Sequence, residues 1–543
     1  MPAIKKNILH ALSWLPKALL LLVALAAMHS HAEEFFPDRS ELVGGRFLPL
    51  QYRAAPSERT RAEGLEETLR TAWSEFKGSV NVSSFRIPTR NVLQSYFDVL
   101  NNSEEFFYVF GGLSYSSSGN YVTEIRPVYL YGKTEAAAMR AELDAAVEAA
   151  LKCIEDGMSD IDKALALHDH IAVNCSYDVS LERKNNANIY GALVEGQAVC
   201  SGYAQAYSYL LKKQGIRSHY VASTPNDHAW NLITIDGQDY HVDVTWDDAV
   251  GLLPNEILHS FFLLDDEAVR ALDDHDVWDD ESLSGKSNRF NAYFWKNAAR
   301  GMIPWHSGHA YAFDDNGNLM ECDTATGSTR TVHAVPDRWR SPGGGYYTRK
   351  YCQIVKFNGM LLFNGPDSIY RWEPSSGKAI RMDSDISTDD GYAYGLYLNN
   401  GDELFWRRST SPSVEGDFME LAFQMTVTLP LRVGWNLVGV PFEPNASSAA
   451  ELASLNAMGY NPATRSYRAV RSFKGGSAYW IFSKTARELK LSGSPAAAPL
   501  AEGWNFISSD RMAGGAFFWN GKGFVAADEA DAVPNGSGVI IYK

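Results

Sequence analysis

Cysteine is scarce in this 543-residue chain, and what there is does not suit metal binding. The five cysteines are Cys153, Cys175, Cys200, Cys322 and Cys352. None belongs to a CxxC pair or to a paired Cys/His spacing, so the sequence implies no metal and no other cofactor. Basic residues are also short, with 49 Lys+Arg against 65 Asp+Glu and a net charge of −16. That balance argues against nucleic acid as a partner and gives no attraction to anionic membranes. Past residue 27 no apolar run is long enough to span a bilayer, so no integral membrane segment is expected in the mature chain. A disordered tail is missing too: 45% hydrophobic and 12% aromatic residues is the composition of folded protein. The length calls for several domains.

The N-terminal 32 residues have a different character. Lys5, Lys6 and Lys17 precede an apolar run from Ala18 to Ala27, and Ser30-His31-Ala32 offers small residues where a signal peptidase reads. Residues 1–32 are therefore expected to be a secretory signal, and the mature protein to be secreted, periplasmic or at the cell surface. An odd cysteine count in an exported chain suggests one free thiol beside pairs. Pairing sequence neighbours, Cys153 with Cys175 and Cys322 with Cys352, leaves Cys200 alone.

Residues 33–132 read as a small α+β region. A helical pattern runs from Thr60 to Phe76, and strands are expected at Phe106–Phe110 and Tyr121–Tyr131. Residues 133–290 form the next domain. One helix is expected from Thr134 to about Asp156, and another after the cap Ser159, with Ile161, Leu165, His168 and Ile171 on one face. His168 and His170 read as packing or surface residues. A third helix, Ser201 to Lys213, carries Tyr203, Ala206, Tyr207, Leu210 and Leu211 as its buried stripe. Strands follow at Ser218–Ala222, Ala229–Ile235 and Gln238–Thr245, the last two joined by Asp236-Gly237.

Residues 291–420 lack helical patterning. Ala310–Phe313 and Asp323–Gly327 resemble Met360–Phe363 and Glu373–Gly377 at an offset of 50 residues, and a third copy begins near Gly391. This is the spacing of four-stranded β units of the propeller-blade kind, but only about three fit where a closed propeller usually needs four or more, so an open β-sheet assembly is an equal expectation. In residues 421–543, Gly434–Val438 recurs as Gly503–Ile507 and Gly476–Phe482 as Gly536–Tyr542, which marks a tandem β module.

The chemistry gathers in residues 133–290. Cys200 stands at the start of a helix, where unpaired N–H groups and the helix dipole stabilise a thiolate and could hold an oxyanion. Small neighbours, Ser201 and Gly202, leave room for a substrate carbonyl. A two-residue Asp236-Gly237 loop would set Ile235 opposite Gln238 and Trp230 opposite Asp243. His228 then lies diagonal to Asp243 on the same face, within reach of its carboxylate. A base beside the thiol and an acid orienting the base are what nucleophilic catalysis needs. Asp247 and Asp248 read as turn or surface acids, Trp230 and Trp246 as core. Tyr190 and Gln197 are the side chains nearest in sequence that could add an oxyanion donor.

Three segments carry a family resemblance. Gly191-Ala192-Leu193-Val194-Glu195-Gly196-Gln197-Ala198-Val199-Cys200-Ser201-Gly202-Tyr203-Ala204 resembles the nucleophile segment of the transglutaminase-like superfamily. Asp227-His228-Ala229-Trp230-Asn231 resembles its histidine segment, and Tyr240 to Asp248 its aspartate segment. The resemblance covers roughly residues 135–265 and implies a papain-like α+β core. It also implies Cys200 as nucleophile, His228 as general base and acid, and Asp243 as the orienting carboxylate. The chain is thus expected to be multidomain: an α+β papain-like transglutaminase core, preceded by a small α+β region and followed by all-β repeat modules. The expected function is a secreted thiol enzyme acting on protein or peptide amide bonds, by hydrolysis or acyl transfer. The C-terminal β modules would serve contact with a cell surface or cell wall. The rival reading is a noncatalytic adhesion or assembly module whose β repeats bind a partner or surface. The intact set of three residues favours the enzyme.

Overall fold

The computed structural model describes residues 42–43, 56–248, 256–357, 359–382, 391–399, 403–414, 416–420, 425–440, 442–461 and 464–495, with the strand segments 504–508, 517–519, 524–526 and 538–542. The expected signal, residues 1–32, lies outside them, as do Gly503 and Gly536-Ser537 of the tandem repeat. The chain divides into two compact units, residues 1–296 and 297–543. Among the described residues no helix is long and apolar enough to cross a membrane.

The first unit opens with β1 (Leu42–Val43), α1 (Pro56–Ser74), β2 (Val80–Asn81), α2 (Val92–Leu100), β3 (Val109–Ser118) and β4 (Tyr121–Tyr129). The strands form a sheet in the order β1-β3-β4-β2. The strand expected at Phe106–Phe110 begins only at Val109, because Glu104–Phe106 is a turn of 3-10 helix. Next come α3 (Lys133–Leu151) and α4 (Asp160–Asn174). Ser159 caps α4 as expected: its hydroxyl accepts from the Asp162 amide, and the Asp162 carboxylate accepts from the Ser159 amide. Thr134 does not cap α3. Gly132 does, and the helix gives way to turns after Leu151, where the amides of Cys153 and Ile154 reach back only three residues.

The remaining elements are β5 (Ser176–Tyr177), α5 (Ile189–Leu193), β6 (Gln197–Ala198), α6 (Cys200–Lys213), β7 (Ser218–Ser223), β8 (His228–Ile235), β9 (Gln238–Val242), α7 (Val244–Asp247), β10 (Phe262–Leu264) and α8 (Asp266–Arg270). Strands β10-β9-β8-β7 make an antiparallel sheet. The β8–β9 register is the expected one, with Ile235 opposite Gln238 and Asn231 opposite Val242. Its turn needs φ > 0 at both central residues, and Asp236 (51°) and Gly237 (74°) supply it.

Helix α6 is more deeply set than its stripe suggested, since every residue from Ser201 to Leu211 is buried. It packs against α4 and α5 as well as β7 and β8. The hydroxyls of its buried stripe find partners: Tyr207 donates to the Ala164 carbonyl (2.9 Å) and Tyr203 to Asp248 (2.6 Å).

The second unit is almost all β. Its first part contains two four-stranded antiparallel meanders. One is Trp305–His306, His309–Phe313, Asn318–Cys322 and Thr329–Ala334; the other is Ile354–Phe357, Met360–Asn364, Ile369–Glu373 and Lys378–Arg381. A three-stranded sheet follows, Tyr392–Asn399, Glu403–Ser409 and Asp417–Glu420. The segments matched at an offset of 50 occupy corresponding strands and turns of the two meanders. Further on, Gly434–Val440 pairs with Ser477–Ser483, and Trp504–Ser508 pairs with Gly538–Tyr542. Both halves of the C-terminal duplication thus use the same strand pairing.

All five cysteines are free thiols, which overturns the pairing of Cys153 with Cys175 and of Cys322 with Cys352. Closeness in sequence does not bring them together. Cys175 ends α4, and its thiol is engaged with Tyr203. Cys352 packs in an apolar cluster with Tyr311, Leu319, Trp339 and Phe363.

Candidate active site

Helix α6 delivers Cys200 as its first residue, after the extended Val199. Gly202 makes that placement possible. A Cβ there would stand 2.6 Å from the Asn186 carbonyl oxygen and 2.7 Å from the Ala198 Cβ. The small residue therefore admits the chain's own backbone. Cys200 remains partly exposed and packs on Ala204, Tyr220 and Ala229.

His228 begins β8, after Asp227 takes a left-handed φ of 48°. Its Nε2 lies 2.5 Å from Asp243 Oδ2. The Cys200 thiol is a further side-chain partner of the ring. Burial opposes a proton on His228. The charge and hydrogen bond of Asp243, with the contribution of Cys200, outweigh burial and carry its pKa up to about 10. Those contacts favour a proton on the ring beside Cys200.

Asp243 does not lie in a strand, although the sequence suggested one to Thr245. The ladder ends at Val242, and Asp243 caps α7. Its Oδ1 accepts from the amides of Thr245 (2.8 Å) and Trp246 (3.2 Å), groups a continuing strand would have needed for pairing. The cap leaves Oδ2 for His228. Burial works against the Asp243 charge, but His228 and His275 hold its carboxyl well below the usual carboxylate range.

The sequence-derived residues Cys200, His228 and Asp243 thus come together. Trp230 is buried and stacks on His228 at 5.7 Å, and the half-buried Trp246 meets the ring edge-on. Tyr190 is turned away, its hydroxyl bonded to Glu142. Asp247 is not a surface acid: it is fully buried, and its Oδ2 meets His168 Nε2 at 3.1 Å. His168 Nδ1 meets Asp169 Oδ1 at 3.0 Å, and His259 Nε2 meets the same oxygen at 2.8 Å. Asp247 also accepts from the Phe261 amide. This buried chain of ion pairs ties α4 to α7, the turn that Asp243 caps. Burial opposes the His168 proton, but the two carboxylates raise its pKa to about 9.

Sequence reasoning missed His275. It follows Asp273-Asp274 in a stretch that reads only as an acidic loop, with no periodicity or motif to single it out. The groups His168–Asp169–His259 and His228–Asp243–His275 each bring three potential metal-ligand atoms within 4.8 Å. In both, those atoms are engaged in hydrogen bonds with one another.

Residues 148–245 match the family model of the transglutaminase-like superfamily, a span holding Cys200, His228 and Asp243 but not His275. Among solved structures, a crystal structure of a TGase is similar at 14% identity and a TM-score of 0.18. That similarity covers 24% of this chain and 43% of the other, so it spans under half of that protein. No curated protein matches the chain.

Proposed function

We propose that the protein, whose residues 148–245 belong to the transglutaminase-like superfamily, is an exported thiol enzyme acting on protein or peptide amide bonds. The observation that carries the reading is the order Cys200–His228–Asp243: a partly exposed thiol, a buried imidazole engaged with it, and a buried carboxylate 2.5 Å behind that imidazole.

In the proposed cycle the Cys200 proton rests on His228, and the thiolate attacks the amide carbonyl carbon. The oxyanion so formed faces the start of α6. The amides of Gly202 and Tyr203 are taken by the Val199 carbonyl. No described hydrogen bond uses those of Cys200 and Ser201, which serve as donors to the oxyanion. Collapse breaks the C–N bond, and His228 passes its proton to the departing amine. The resulting thioester is opened by water or by a second amine, whose proton returns to His228 as the thiolate leaves. Asp243 holds the ring orientation and stabilises the imidazolium throughout. An acidic, exported chain with all-β modules is suited to substrates outside the cytoplasm, with those modules contacting a cell surface.

The test is iodoacetamide labelling of the full chain at pH 6 to 7, with mass mapping of the modified cysteine. Fast labelling at Cys200 that slows in His228→Ala supports the enzyme. Labelling of Cys200 only after denaturation would move the assignment to a noncatalytic module.

A further inference from the structure

The helix that carries Cys200 starts inside a ring of hydrogen bonds that the proposed cycle does not use. The Asp178 amide donates to the Ala198 carbonyl (2.9 Å), and the Val199 amide donates to the Asn186 carbonyl (2.8 Å). The Asn186 side chain closes the ring, its Nδ2 donating to Asp178 Oδ2 at 3.0 Å. Asp178 is buried, and its Oδ1 accepts from the Ser180 hydroxyl (2.5 Å) and the Ser180 amide (3.2 Å). Ala198 and Val199 are the two residues before Cys200, so the ring grips the chain immediately ahead of the nucleophile. The same loop reaches past it. The Ser201 hydroxyl donates to the Ala187 carbonyl at 3.3 Å, and a Cβ on Gly202 would meet the carbonyl oxygens of Asn186 and Asn188 at 2.6 and 3.2 Å. Residues 186–188 therefore hold backbone on both sides of Cys200. The Cys200 side chain packs elsewhere, on Ala204, Tyr220 and Ala229.

We propose that Asn186, held by Asp178, is a positioning residue for the oxyanion: the pair aims the Cys200 and Ser201 amides. The inference rests on the thiol-enzyme reading above. A peptide plane turns as a unit, so the direction of the Cys200 N–H is set by the Val199 end of the same plane. Val199 is where the Asn186 carbonyl bonds. Donors fixed before the charge develops need no reorganisation when the tetrahedral intermediate forms. The Asp178–Asn186 contact supplies that fixing from outside the helix.

The experiment compares two reactions at Cys200 in the full chain. Iodoacetamide reacts by displacement at a saturated carbon and forms no oxyanion. p-Nitrophenyl acetate reacts at a carbonyl. There the thiolate adds to the carbon, the oxygen takes the charge, and collapse breaks the ester C–O bond to leave an acetyl thioester and p-nitrophenolate. Mass mapping reads the first rate. Released nitrophenolate reads the second, with Cys200→Ala as background. A displaced thiol slows both reactions, so the ratio of acylation to alkylation isolates the donors. Asn186→Ala and Asp178→Ala are each expected to lower that ratio about tenfold, part of the roughly 10²–10³ that removing an oxyanion donor costs. The double swap of Asp178→Asn with Asn186→Asp again sets an amide against a carboxylate at unchanged net charge, and should recover the wild-type ratio. A ratio unmoved in the alanine variants, or a folded swap that stays low, would overturn the inference and leave the enzyme reading intact. So would a wild type that alkylates fast but is acylated no faster than a free cysteine thiol. Slow wild-type alkylation sinks both. Should circular dichroism show the alanine variants unfolded, Asn186→Ser, too short to reach Asp178, is judged by the same ratio.

Discussion

At the residue scale, the candidate site depends on groups whose partners are single atoms. Asp243 divides its two oxygens between backbone amides and imidazoles, so Asp243→Asn keeps the shape and loses the charge. His228 labelling assistance should then fail: the Cys200 alkylation rate at pH 6 is expected to drop at least about tenfold, the equivalent of one pKa unit. Gly202 tests a different physical term. Its missing Cβ is the space taken by the Asn186 carbonyl oxygen at 2.6 Å. Gly202→Ala forces either the helix start or that loop to shift, at about 1–3 kcal/mol. Urea unfolding of the variant should show the loss, and Cys200 labelling should slow with it because the helix start moves. The positions of Cys200 and His228 were legible because a helix start and the register set by an Asp-Gly turn are local patterns. Gly202 was legible only as a small residue, since what fills its space comes from a distant loop.

At the element scale, the buried chain His259–Asp169–His168–Asp247 joins α4 to α7 and so fixes the turn that Asp243 caps. Removing one member strands its partners' charges out of water. His168→Ala is expected to cost about 3–5 kcal/mol, the range for breaking a buried ion pair from one side. The measurement is the unfolding midpoint in denaturant, and a loss below about 1 kcal/mol would show the chain to be dispensable. Asp247 was read from sequence as a turn or surface acid, which is the ordinary fate of such a residue. Only the approach of α4 from 79 positions earlier explains its burial. The β8–β9 hairpin is the opposite case. Its turn chemistry alone fixed the register, and through it the face on which His228 lies.

At the scale of the whole molecule, all the site residues fall in the unit ending at Lys296. A chain truncated after Lys296 is therefore expected to keep the Cys200 labelling rate and its dependence on His228, measured beside the full chain. The pH dependence of stability also follows. His168 and His228 bind their protons more tightly in the folded state, with pKa values raised to about 9 and about 10. Their contribution is complete below about pH 6.5, where the unfolded chain also holds the proton. It is lost as pH rises through those folded values. The melting temperature of the first unit should fall steadily from pH 6.5 to 10. Asp169 and Asp243 act in the other direction: their carboxyls are held low, so their contribution is lost as pH drops below about 4.

From the sequence alone came the elements with local causes: the Ser159 cap, the start of α6, the Asp236-Gly237 turn, the β-rich second half, and three motif residues that carry the resemblance to the transglutaminase-like superfamily. Each is set within a few residues, by caps, turn angles and periodicity. Tertiary structure decided what depends on distant chain segments meeting. It left the five cysteines unpaired, buried Asp247 against His168, and brought His275 onto the same oxygen that orients His228. Hydrogen bonds and burial between remote segments follow from packing, and no local pattern in the chain encodes them.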